Sequence, residues 1–177
     1  MIPLPKLKAI LVYFANNTEK LGKVKLMKLI YFLDFVHVKK YGRPVTFDNY
    51  VNIEHGPIPS TIKSLVDYLG EDINSKLADA VYIKKVPTRK KAMDKIVPRR
   101  EFNKNDERLF SKSELEVLKE VAKRFKNANS DQIEKASHQE SPWKSTNYLD
   151  PIDYSLASND KDSKFSKEEI ELLLKTT

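Results

Sequence analysis

The chain has 177 residues, 40% of them hydrophobic and 32% charged, which is typical of a soluble globular protein of about one domain. It has no cysteine, which excludes disulfides, thiolate metal sites and a cysteine nucleophile and favours a reducing, cytoplasmic location. Lysines and prolines break the first apolar run, so it does not resemble a signal peptide. No stretch approaches the ~18 uninterrupted apolar residues of a membrane helix, and we expect no membrane partner. The oligomeric state is left open.

Two helices are predicted at the start of the chain. Apolar residues recur at helical spacing within residues 4–16. Residues 23–41 are apolar on nearly every side, which is typical of a helix in the middle of a domain. Gly42 and, two positions later, Pro44 are ordinary signals for the end of this helix. We therefore expect the fold to be built around helix 23–41.

One stripe of the predicted central helix differs from the rest. At about 100° per residue, three lysines and two phenylalanines lie on one side: Lys25, Lys28, Phe32, Phe35 and Lys39. The lysines could extend past the rim of the core to water while their stems pack against it. Alternatively, the stripe is an exposed edge that binds a partner.

A short β-branched and aromatic stretch, residues 45–53, predicts one or two strands, and a helix is predicted from Pro59. Between them, Glu54 and His55 are adjacent and would point to opposite faces of a strand, which argues against an acid/base pair. Gly56 and Pro57 supply a permissive and a fixed φ, and this is sufficient for a strand-to-helix corner. The role of His55 stays open: it could pack, cap the sheet or face a partner.

Much of the net charge of +7 is concentrated between positions 84 and 108, a segment with ten Lys or Arg and only four acidic residues. The sequences "DAVYIKKV" and "DKIVPRREF" predict a β-hairpin, with Arg89, Lys90 and Lys91 in the turn. Such a basic segment can bind nucleic acid or an acidic protein surface. It can also be a solvated hairpin tip without a partner.

The rest of the chain predicts three helices and two irregular segments. Two of these helices begin with the spacing of a capping box, Ser111–Glu114 and Ser166–Glu169. A turn near residue 143 carries the only tryptophan, Trp143, which we expect to cover the core. The polar stretch 155–164 is predicted to be loose.

These elements predict an α+β fold, mainly helical, around helix 23–41. A small antiparallel sheet would come from residues 45–54, 80–86 and 94–102. The three histidines do not have the spacing of a helical metal site, and the four glycines do not form a phosphate-binding loop. We therefore predict no metal, no cofactor and no catalytic residue. A site assembled from distant positions is left open.

Five motifs, in order, resemble the Panacea, or SocA-like, antitoxin domain family over about residues 5–150. The matching residues are Leu26, Lys28, Leu29, Tyr31 and Phe32; Gly42 and Pro44; Gly56 and Pro57; Phe110, Ser111, Glu114, Val117 and Leu118; and His138 and Trp143. Met27 stands where the family usually has glutamine, so a partner contact made by that glutamine would be missing here.

The resemblance implies an antitoxin of a bacterial or phage toxin–antitoxin system that neutralises a cognate protein toxin by direct contact. It also implies a main antitoxin domain at residues 1–150, followed by a polar linker and a C-terminal helix extension at 151–177. Two alternatives remain: a nucleic-acid-binding regulator that uses the 84–108 hairpin, and an adaptor that delivers a toxin to a protease. The candidate contact regions are the stripe, the basic hairpin and the C-terminal tail. The other motif residues would be structural: Leu26, Leu29, Tyr31, Gly42, Pro44, Gly56, Pro57, His138 and Trp143.

Overall fold

The computed structural model of the protein describes residues 2–72, 75–88 and 92–176. The helices are α1 (Leu4–Asn17), α2 (Lys23–Tyr41), α3 (Ser60–Glu71), α4 (Lys104–Glu107), α5 (Lys112–Arg124), α6 (Ser130–Ser137), α7 (Ser141–Lys144) and α8 (Lys167–Lys175). The strands are β1 (Tyr50–Val51), β2 (Ile58–Pro59), β3 (Val81–Val86), β4 (Met93–Pro98) and β5 (Pro151–Ile152), and a 3-10 helix spans Tyr154–Asn159. The predicted α+β, mainly helical fold is confirmed.

Helix α2 lies at the centre of the core, as predicted. Every residue from Lys25 to Lys39 is buried, because α5, α6, β2 and the 3-10 helix all pack against it. The helix ends at Gly42, whose φ of 74° is in the left-handed region that favours glycine. A Cβ atom at this position would also lie 2.3 Å from the Leu173 side chain. Gly42 is therefore required both for its backbone angle and for the close approach of α8.

The strands form two antiparallel sheets, so the prediction of one sheet from three segments is wrong. Strand β1 lies between β2 and β5, with Tyr50 opposite Pro59 on one side and Ile152 on the other. Strands β3 and β4 form the predicted hairpin. The Ile96 N–H donates to the Leu21 carbonyl oxygen at 2.7 Å and attaches the hairpin to the segment between α1 and α2. Strands of two residues are too short to leave a pattern in the sequence.

The C-terminal residues pack onto the core, so the prediction that stretch 155–164 is loose is wrong. Most of the 3-10 helix lies in this stretch, and its Ser155 and Ala157 are buried. The Lys164 N–H donates to the Lys39 carbonyl oxygen of α2 at 2.8 Å. Helix α8 forms as predicted and packs against the 3-10 helix. The stretch buries small and polar side chains, and these give no apolar periodicity.

A buried carboxylate, that of Asp34, joins α2 to three other segments. It accepts hydrogen bonds from the Val45 and Thr46 N–H groups, at 2.8 and 2.7 Å, and from the Thr46 hydroxyl. The Tyr50 hydroxyl lies 2.8 Å from this carboxylate. The Tyr154 hydroxyl lies 3.2 Å from it and also 2.7 Å from the Asp48 carbonyl oxygen. Burial raises the pKa of Asp34, and these hydrogen bonds oppose the rise. The cost of burying this group is thus offset by donors from the 45–46 loop, β1 and the 3-10 helix.

We predict that Asp34→Ala lowers the free energy of unfolding by roughly 3 kcal/mol or more, because several buried donors lose their acceptor at once. Urea denaturation measures this change. Glu54→Ala removes an exposed carboxylate and is the control, for which we expect a change within about 0.5 kcal/mol. Equal stabilities for the two variants would contradict the role of Asp34.

Candidate partner-binding surface

The lysine and phenylalanine stripe of α2 is buried, so the prediction of an exposed partner-binding edge is wrong. None of its five residues exposes more than 2% of its surface: Lys25, Lys28, Phe32, Phe35 and Lys39. The rings of Phe32 and Phe35 pack against aromatic rings of α2 and of other segments, at centroid distances between 4.4 and 5.4 Å. The ammonium groups do not reach past the rim to water either, because they bond inside the protein.

Two of these lysines bond to backbone carbonyl groups of other segments. The Lys25 Nζ atom donates to the Glu19 and Lys126 carbonyl oxygens, at 2.8 and 3.1 Å. The Lys28 Nζ atom donates to the Pro57 carbonyl oxygen at 2.8 Å. Lys25 therefore joins α2 to the segments at Glu19 and Lys126, and Lys28 joins it to the turn at Pro57.

The third lysine belongs to an ion cluster at the end of α2. The Lys39 Nζ atom lies 2.7 Å from the Glu140 carboxylate, 3.0 Å from that of Asp162 and 3.6 Å from that of Asp160. Burial by itself lowers the pKa of Lys39, but the carboxylates, Glu140 above all, outweigh burial and raise the pKa. This cluster joins α2 to α7 and to the segment after the 3-10 helix.

Gly56 and Pro57 belong to a turn between β1 and β2 that lies against α2 and α6. The φ of Gly56 is 90°, and a Cβ atom there would lie 2.6 Å from the Ser137 Oγ atom and 3.0 Å from the Lys28 Cε atom. Only glycine fits this position without a shift of its neighbours. The turn leads into β2 and not directly into α3, so the predicted strand-to-helix corner is one strand longer than expected.

A groove of about 570 Å³ lies beside this turn, between α2, α3 and α6. Its apolar lining comes from Val24, Met27, Ile53, Ile58 and Val66. Val24 is 48% exposed, although most of its apolar neighbours are buried or half-buried. Apolar centres surrounded by polar residues are typical of surfaces that bind other proteins.

The charged side chains that line the groove are largely paired with one another. The Asp67 carboxylate lies 2.5 Å from the Lys63 Nζ atom and 3.3 Å from that of Lys23. His55 is exposed and its Nδ1 atom lies 3.3 Å from the Glu134 carboxylate, whereas Glu54 has no contact with it in the described residues. A partner would therefore gain mainly by covering the apolar lining, because the charges already have partners.

Lys28 also lines the groove. It differs from Lys39 because no carboxylate of the described residues lies within ion-pair distance of its ammonium group. Burial lowers the pKa of Lys28 to about 7, and the more distant Glu134 carboxylate opposes this change only in part. Near neutral pH the group is therefore close to the middle of its titration. This behaviour follows from a partner that is a neutral carbonyl oxygen, that of Pro57.

We predict that Lys28 makes the free energy of unfolding rise with pH from about 7 towards 10.5, the ordinary lysine value. In this range the unfolded chain holds a proton that the folded chain has released, so raising the pH favours the folded state; below it Lys28 is charged in both states. Lys28→Met removes this contribution. Urea denaturation at about pH 6 and about pH 9 measures it. The exposed Lys135→Met is the control, and an unchanged pH dependence in Lys28→Met contradicts the lowered pKa.

His138 and Trp143 stack on each other, with 3.9 Å between ring centroids. The Trp143 Nε1 atom donates to the Ile53 carbonyl oxygen at 3.3 Å and holds α7 against the end of β1. Burial lowers the pKa of His138, and its Nε2 atom has no hydrogen-bond partner in the described residues. Of the other motif residues, four are buried in the core or just after α2: Leu26, Leu29, Tyr31 and Pro44.

Two further predictions concern charge and metals. Arg89, Lys90 and Lys91 lie outside the described residues, so the predicted basic tip is not placed. Within residues 2–72, 75–88 and 92–176, no group of three or more His, Asp and Glu side chains is close enough to hold a metal ion. In the same residues, all helices are too short or too polar to cross a membrane.

The family model for the SocA-like antitoxins with a Panacea domain matches residues 26–144. The chain belongs to this family. The matched region of the Panacea domain begins in α2 and ends with α7, and it contains the turn at Gly56 and most of the residues that line the groove. No curated protein and no solved structure matches the chain.

Two important residues were not found from the sequence, although each left a signal. Asp34 is the only acidic residue within the apolar helix α2, and an isolated charge in a buried helix indicates a bonded site. Val24 is an apolar residue at the exposed start of the same helix. Its exposure depends on the segments that pack around α2, and helical periodicity does not reveal these.

Proposed function

We propose that this Panacea-domain protein is an antitoxin that neutralises a cognate protein toxin by direct binding. Membership of the antitoxin family over residues 26–144 is the observation that carries the proposal. Binding requires a complementary surface and no reacting group. The groove beside the Gly56 turn supplies such a surface, and it lies mostly within the matched region.

We further propose that a segment of the toxin covers the groove. The apolar lining around Val24 and Met27 is the part of the groove that lacks a partner, since Lys23, Lys63 and Asp67 pair with one another. A volume of about 570 Å³ accommodates several side chains of a bound segment. Covering exposed apolar surface contributes about 25 cal/mol for each Å² removed from water.

Co-expression tests the antitoxin function. The reading frame next to the gene is expected to arrest growth when expressed alone and to be harmless together with this chain. The two proteins should co-purify as a complex. A neighbouring product that is harmless alone would contradict the proposal.

The protease-adaptor alternative predicts a different result in the same experiment. An adaptor needs the protease, so toxin would accumulate and arrest growth in a strain that lacks it. Direct neutralisation requires only the complex, and growth should then be rescued with or without the protease. Loss of rescue in the protease-deficient strain would favour the adaptor.

The groove is tested by Val24→Gln, which places a polar amide on the apolar lining. We expect the toxin to bind at least about 10-fold more weakly, or about 1.4 kcal/mol. Val24 lies in the first turn of α2 and is 48% exposed, so the free energy of unfolding should change little.

Leu109→Gln is the matched control, because Leu109, just after α4, is 39% exposed and does not line the groove. It should bind toxin as the unmodified chain does. If Val24→Gln also keeps full affinity and rescues growth, the groove is not the contact surface. The antitoxin function itself would stand in that case.

A further inference from the structure

A second concave surface lies near the turn end of the β3–β4 hairpin and has a volume of about 440 Å³. It is lined by Val86, Pro87 and Met93 and by four lysines: Lys20, Lys84, Lys85 and Lys95. Among the described residues, the lining contains no acidic side chain. We call this surface the lysine concavity. It is separate from the toxin-binding groove, and the two share no lining residue.

The lysine concavity is arranged at a cost to the fold. Lys84 and Lys95 are directly opposite each other in the antiparallel ladder, so their side chains leave the hairpin on the same face. Like charges in this position repel each other and destabilise the pair. Lys20 has a φ of 50°, a left-handed conformation that non-glycine residues rarely adopt. The third of these ammonium groups, that of Lys20, therefore belongs to a residue with a strained backbone.

No carboxylate of the described residues compensates for these charges. None of the four lysines has an ion pair with a described residue. Asp94 stands opposite Lys85 in the ladder, but its carboxylate lies 3.8 Å from the Lys23 Nζ atom and does not line the concavity. The surface therefore presents an uncompensated positive charge to solvent.

The composition of this surface favours phosphate groups over a protein partner. Lysines are depleted from protein–protein interfaces, where aromatic and arginine anchors dominate. Ammonium groups on flexible stems bind phosphates as point charges without a fixed geometry. The nearest ring on this face of β3, that of Tyr82, is covered by the Arg99 guanidinium group at 4.8 Å from its centroid. It is therefore not free to stack on an unpaired base, as single-strand binding requires.

We propose that the lysine concavity binds the phosphate backbone of a double-stranded nucleic acid. Contacts of this kind do not read sequence, because phosphates are the same at every position. The binding depends on release of counterions, so affinity falls steeply as salt is added. This function is additional to toxin binding and does not depend on it.

Fluorescence anisotropy with short labelled duplexes of DNA and of RNA, and with the full chain, tests the proposal. We expect binding at about 50 mM salt that weakens at least about 10-fold by about 200 mM. The DNA and RNA arms show which duplex is preferred. Failure to bind either duplex at the lower salt concentration would overturn the proposal. So would equal binding of polyglutamate, because the surface would then recognise any acidic polymer.

The double variant Lys84→Gln/Lys95→Gln separates binding from folding. Duplex affinity at low salt should fall at least about 10-fold, and the slope of log affinity against log salt should decrease by about two. The midpoint of thermal unfolding should stay the same or rise, because the repulsion between opposed charges is removed. Lost duplex affinity together with a lower midpoint would mean that the double variant is misfolded. In that case Lys20→Gln, which lies outside the hairpin, must by itself reduce duplex affinity, and an unchanged affinity would overturn the proposal.

Lys135→Gln/Lys144→Gln is the matched control. It makes the same change in net charge at two exposed lysines outside the lysine concavity. It should keep most of the duplex affinity. If both double variants lose affinity equally, only net charge matters and the proposed site is wrong.

Discussion

The Asp34 carboxylate determines how the segments around α2 are arranged. A buried charge is tolerated only where donors converge on it, and here they come from the 45–46 loop, from Tyr50 and from Tyr154. Tyr50 belongs to β1, which pairs with both β2 and β5. The position of β1 in turn places the Gly56 turn, which borders the groove. A single buried carboxyl group thus connects the middle of the core to the surface that we propose binds the toxin.

The lysines of α2 show how the nature of a partner changes the same residue type. Lys39 has carboxylate partners, and they hold its pKa above the ordinary value despite burial. Lys28 has only the Pro57 carbonyl oxygen, and burial lowers its pKa to about 7. Both lie on the same side of α2, a few turns apart, and both join α2 to other segments. Near neutral pH Lys28, beside the groove, is therefore close to the middle of its titration, whereas Lys39 is charged.

The sequence predicted elements whose signals are local. The apolar run of α2 and the capping boxes at Ser111 and Ser166 appear as expected, because each depends on residues only a few positions apart. The lysine stripe shows the limit of this reasoning: periodicity shows that residues share a face but not what covers it. Pro57, the partner of Lys28, lies 29 positions away, and Tyr154 lies 120 positions from Asp34. The groove depends on three such distant segments, so only the three-dimensional arrangement reveals it.

The packing of the 3-10 helix has a consequence for synthesis on the ribosome. Asp34 of α2 is made 120 residues before Tyr154, which bonds to it, and β1 is likewise made long before its partner strand β5. Chains grow at about 5–20 residues per second, so α2 waits for several seconds without its final neighbours. Helices α5 and α6 are made before that point and can already cover much of α2. The part of α2 around Asp34 and Phe35, against which Tyr154 packs, is completed only when the 3-10 helix has left the ribosome.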